Sequence, residues 1–208
     1  MELREALTQI AEIRSRVAQT ERFDGYRAGP VACTGLFAVL AGLVQSLLLP
    51  RPASQFSEYL LLWSSAAIAG VVAAGMGIHR RHRTHDLPLS KEMTRLAVSQ
   101  FLPCLVAGAL MTMAIARHSP EFARLLPGLW QVLFSLGIFA SCRLLPKPIV
   151  GIGGFYLAAG VLNLGVVDPD HGLSPWAMAL PFGLGQLGTA AILYVHLERP
   201  DGERTLGR

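Results

Sequence analysis

No Asp, Glu, Lys, Arg or His stands in the middle of any long apolar run of this sequence. Proton-coupled carriers and voltage sensors work through ionisable groups at membrane depth, so their absence weighs against both. Cysteine is nearly as scarce. Cys33, Cys104 and Cys142 are single and widely spaced, which gives no disulfide framework. Each falls toward the cytosolic end of its apolar run and reads as a small buried apolar residue. Charge of either sign is low, 15% of residues, where soluble domains carry about 25%. No Walker loop, nucleophile elbow, zinc-protease motif or pair of catalytic carboxylates appears. The expectation is a protein that is not an enzyme, with no cofactor and no resident metal. Met1–Arg27 lacks the short apolar region and small-residue cleavage site of a secretory signal, so the first span is expected to serve as the insertion signal.

What is present is apolar length. Of 208 residues 52% are hydrophobic, and the mean hydropathy is +0.44. The apolar residues fall in runs near the roughly 20 residues that cross about 30 Å of hydrocarbon. Six spans are predicted: Val31–Leu49, Tyr59–Ile78, Leu96–Ala116, Leu125–Leu145, Ile149–Val167 and Pro175–Leu197. Short connections make neighbours antiparallel hairpins. The expected fold is all-α, a polytopic membrane bundle of six transmembrane helices behind a cytosolic amphipathic helix. Residues 1–29 form that helix and a turn, 30–198 the transmembrane domain and 199–208 a polar tail.

The basic run Ile78–Arg95, with Arg80, Arg81, Arg83, Lys91 and Arg95, orients the whole. It is expected to form a cytosolic loop after the second span. Fifteen Lys and Arg residues fall on that side, against only Arg51, Arg117 and Arg124 on the other. The positive-inside rule then places both termini in the cytoplasm. Trp63, Trp130 and Trp176 all fall near the external ends of their spans, as expected of an interfacial belt. The net charge of +4 is explained by this placement beside apolar runs, so nucleic acid is not an expected partner.

In the N-terminal segment Leu3, Leu7, Ile10, Ile13 and Val17 recur at helical steps and make one apolar stripe. Its charges are balanced, unlike the cation-rich face of a lipid-surface helix. The stripe is therefore the candidate partner face, for a cytosolic protein or a second copy in a homo-oligomer.

Uncharged polar residues gather in the outer halves of the spans. Gln45, Thr112, Gln131 and Asn163, with Gln186 nearer the middle, are the candidate polar pocket. The alternative is hydrogen bonding between helices with no ligand. Pro103 and Pro181 each free a carbonyl one turn earlier and so favour a pocket. Small residues (Ala66, Gly70 and Ala74; Gly183, Gly185 and Gly188) mark close helix contacts, while Gly151, Gly153 and Gly154 loosen the start of the fifth span. His79, His82 and His85 have ligand-like spacing, but the arginines around them repel a cation; contact with anionic lipid fits this run better. Asp168, Asp170 and His171 read as a turn. Leu126-Pro127 with Gln131 echoes Leu180-Pro181 with Gln186, one residue out of step; three related hairpins are one reading of it, and chance is the better one.

The opening EIRSRVAQTERFDGYRAGP (Glu12–Pro30), followed by a span, resembles the start of uncharacterised bacterial six-span membrane proteins. The resemblance implies a bacterial inner membrane and carries no catalytic residue. Two functions follow as expectations: a non-enzymatic regulatory or accessory subunit acting through protein partners, or a carrier or channel for a small neutral or apolar solute.

Overall fold

A computed structural model describes residues 28–52, 54–84, 88–165 and 173–198, with backbone only at 80–84, 88–94 and 197–198. The stripe Leu3–Val17, the polar tail, His85 and the group Asp168, Asp170 and His171 lie outside the described residues. Six α-helices are seen among those described, and no strand. They are α1 (Ala28–Leu48), α2 (Phe56–Thr84), α3 (Pro88–His118), α4 (Leu126–Ser141), α5 (Ile149–Gly165) and α6 (Pro175–Leu193). Short 3-10 turns flank α4 at Pro120–Leu125 and Cys142–Leu144, and α6 runs on as a π-helical turn, Tyr194–Glu198. Five helical stretches are long and apolar enough to cross a membrane; α5, at 17 residues, is the shorter apolar helix.

The basic run is not a loop. α2 continues through His79 and the three arginines to Thr84, and α3 begins at Pro88. Arginine and lysine are good helix formers, so the loss of hydropathy does not end the helix. At 29 and 31 residues, α2 and α3 extend about 43 and 46 Å at 1.5 Å per residue. Cys33 is also corrected: it is exposed on α1.

Helices pack in the order α2, α1, α6, α5, α4, α3. The two tightest junctions, α1 on α6 and α5 on α4, both depend on glycine. A methyl added at Gly42 would strike Ala179, and one at Gly160 would lie 2.9 Å from the Gly128 carbonyl. Lacking a hydrophobic drive in lipid, helices associate through such close backbone approach. Of the glycines that starting pattern singled out, Gly70, Gly183, Gly185, Gly188 and Gly153 face neighbours, whereas Gly151 and Gly154 have open space. The centre is aromatic. Phe134 on α4 meets Phe101 of α3 at 5.0 Å, Tyr156 of α5 at 4.9 Å and Phe182 of α6 at 5.4 Å between ring centroids, mostly in the edge-on arrangement that ring quadrupoles favour.

These contacts recur in one register. Gly70 of α2 faces Thr34 of α1, Gly137 of α4 faces Phe101 of α3, and Gly188 of α6 faces Ile152 of α5, thirty-six residues apart each time. Gln45, Thr112 and Asn163 occupy matching positions on α1, α3 and α5 in that register, and Trp63, Trp130 and Pro181 on α2, α4 and α6. The described helices thus form three hairpins built to one plan. This register differs from the Pro127–Pro181 echo in the sequence, which pairs non-matching positions.

Candidate functional site: the buried amide layer

The polar residues of the outer halves come together, and most are consumed by one another. Gln45 on α1 has no exposed surface. Its Nε2 donates to the Leu173 carbonyl, just before α6, and its Oε1 accepts from the Trp63 indole of α2, both at 2.7 Å. One side chain therefore ties three segments.

The second hairpin repeats the device. The Trp130 indole donates to Thr112 Oγ1 at 2.8 Å, and Thr112 donates in turn to the Gly108 carbonyl at 2.7 Å. In both hairpins the tryptophan lies eighteen residues after its acceptor. The tryptophans are not all turned outward, as a lipid-facing belt would have them. Trp63 is buried and Trp130 half-buried, because each indole N–H is turned inward to an acceptor; only Trp176 is exposed.

In the third hairpin Pro181 stands where the other two have tryptophan. Proline has no N–H, so the carbonyl four residues before it, Ala177, loses its helical donor. Gln131 of α4 fills that place from its Nε2 at 2.7 Å. Asn163 of α5 donates to Gln131 Oε1 at 2.9 Å and to the same Ala177 carbonyl at 3.2 Å. Gln131 has no exposed surface. Unpaired amides there would be costly, about 1–3 kcal/mol each, and the pairing removes that cost.

Gln186 does not join this layer. It lies nine residues beyond Ala177 along α6, beside the Tyr156 hydroxyl of α5, and Gly35 of α1 packs on its Cβ. Tyr156 itself donates to the Phe182 carbonyl over 3.5 Å, a long bond. The residue that sequence reasoning missed is Tyr59. It is fully buried, stacks on Trp130 at 6.5 Å with planes 6° apart, and its hydroxyl has no hydrogen-bond partner among the described residues. Its place in the first turn of α2, four residues before Trp63, was the available signal. No group of three or more His, Cys, Asp or Glu side chains converges among the described residues.

Chemically, this arrangement holds helices in register; it contains no nucleophile beside a base. Compared with protein families, with curated proteins and with solved structures, the chain finds no match.

Proposed function

We propose that this chain is a six-span protein of a bacterial inner membrane, with both termini in the cytoplasm, that acts without catalysis as a regulatory or accessory subunit. The observation that carries this reading is the saturation of the amide layer: Gln45, Gln131, Asn163 and Thr112 are all engaged between helices. A carrier needs polar groups that it can hand to a solute, and these are committed to the bundle. Function then falls to the surfaces, and the stripe Leu3, Leu7, Ile10, Ile13 and Val17 is the docking face for a cytosolic partner or a second copy.

The span that brings the five to six is α5, the fifth in chain order. It runs antiparallel to α4, from Gly153 beside Phe139 at one end to Gly160 beside Gly128 at the other. Where α4 crosses, a helix paired along it crosses too, and about 26 Å of helix is at the short end of what spans. The Glu12–Pro30 resemblance agrees with six.

The carrier remains the second reading, favoured by the unpartnered hydroxyl of Tyr59. Cross-linking in native membranes, followed by mass spectrometry, separates the two. The wild-type chain should be captured with a cytosolic partner or a second copy, and the double variant Leu7→Asp, Ile10→Asp should lose it. An unchanged assembly in the double variant contradicts the docking face.

A further inference from the structure

The first hairpin meets the third along α1 and α6, and the third meets the second along α5 and α4. Between the first and the second, no helix packs along another among the described residues. The matching positions say why. Where α6 and α4 carry Ala179 and Gly128, α2 carries Leu61; where α1 and α5 carry Gly35 and Gly153, α3 carries Leu102. Small residues let helix backbones close on each other, and leucine in the same places does not. The third hairpin joins the other two, and its own seam is loose. α6 packs far more closely on α1, and α5 on α4, than α5 and α6 pack on each other.

An aromatic pair spans the gap. Tyr59 of α2 stacks on Trp130 of α4, with centroids 6.5 Å apart and planes 6° apart. The contact has a cost. On α4 and α6 the positions matching Tyr59 hold Leu126 and Ala177, whose side chains have no polar atom. The tyrosine hydroxyl is thus an addition to the shared plan. Tyr59 is 0% exposed, and its hydroxyl makes no hydrogen bond. A void able to hold a water would leave it accessible surface, so no water relieves it. Among the described residues, the one other buried side-chain atom without a partner is Gln100 Oε1, on α3. The unpaired groups therefore fall on α2 and α3, the two helices that flank the gap.

We propose that Tyr59 and Trp130 form a latch between the first and second hairpins, which opens at the tryptophan-bearing end of the bundle. Closed, the stack holds the hairpins together and the hydroxyl goes unsolvated. Open, the stack is lost, and the hydroxyl, in the first turn of α2, reaches water. The two effects oppose each other and are of similar size, which keeps both states accessible. The moving bodies are α2–α1–α6 and α5–α4–α3, and the loose α5–α6 seam is where they turn. The inference needs neither a protein partner nor a transported solute.

The test is a spin-label distance measurement by pulsed double electron resonance. It uses the full-length protein in lipid nanodiscs, with Cys33, Cys104 and Cys142 replaced by Ser. Labels at Ser57→Cys on α2 and Arg124→Cys just before α4, both exposed positions, report the gap. The otherwise wild-type chain should give two distances. Labels at the exposed positions Leu47→Cys and Trp176→Cys, across the closed α1–α6 junction, should give one. Tyr59→Phe removes only the hydroxyl and keeps the stack; it should lower the ratio of long to short distance by about tenfold. Trp130→Ala removes the stack and keeps the hydroxyl; it should raise that ratio by about threefold. A single distance across the gap in the otherwise wild-type chain overturns the proposal. So does a ratio that Tyr59→Phe leaves unchanged or raises, or that Trp130→Ala leaves unchanged or lowers. A hydroxyl with only a structural effect would let Tyr59→Phe raise the unfolding midpoint without moving either distance, and that result also overturns the latch.

Discussion

Gln131 donates to the Ala177 carbonyl at 2.7 Å, across the gap between α4 and α6, and that carbonyl is the one Pro181 leaves without a helical donor. The two residues are coupled through a third they both act on. Replacing Gln131 with Leu should destabilise the protein by about 0.6–1.7 kcal/mol, the range of hydrogen bonds between membrane helices. In a Pro181→Ala background the helix supplies its own N–H to Ala177, and the same replacement should cost less. A double-mutant cycle on thermal unfolding in detergent measures the difference; additive effects would show that the proline and the amide act independently.

The two matching tryptophans should not be equivalent. Trp63→Phe leaves Gln45 Oε1 fully buried and unpaired, at a cost of about 1–3 kcal/mol. Trp130→Phe frees only the half-buried Thr112, whose hydroxyl still donates to Gly108. Its cost should be smaller, nearer the average of about 0.6 kcal/mol for such ties. Unfolding midpoints of the two variants in one detergent check the order.

Glycines with different surroundings should respond with opposite sign. A methyl at Gly160 would lie 2.9 Å from the Gly128 carbonyl and 3.0 Å from the Val132 nitrogen, backbone atoms that cannot turn aside. Gly160→Ala should destabilise by about 1–3 kcal/mol, as overpacking does. Gly151 lies within α5 with nothing within 4 Å of an added methyl. Gly151→Ala should stabilise by about 0.4–1 kcal/mol through loss of unfolded-state freedom.

Much of the bundle is legible in hydropathy, and so is the gathering of Gln45, Thr112, Gln131 and Asn163 at one depth. Their partners are not. A one-dimensional pattern fixes depth along a helix but not rotation about its axis, and rotation decides whether Trp63 faces lipid or Gln45. The threefold plan was hidden for a related reason. Its positions are matched by role more than by identity: Gln45, Thr112 and Asn163 are three residue types, and proline replaces tryptophan in the third hairpin. Only the contacts Gly70–Thr34, Gly137–Phe101 and Gly188–Ile152 expose the register. The reading of Ile78–Arg95 as a loop failed because hydropathy marks where a helix leaves the membrane, whereas backbone hydrogen bonding decides where it ends.

Central to this account is that α5 crosses the membrane, so that the α4–α5 connection lies inside and the start of α6 outside. Single cysteines at Lys147 and Ser174, in a chain with Cys33, Cys104 and Cys142 replaced by Ser, can be treated in sealed cells with an impermeant maleimide. The account predicts that Ser174→Cys is labelled on intact cells and Lys147→Cys only after lysis. Labelling of both positions from the same side would contradict it.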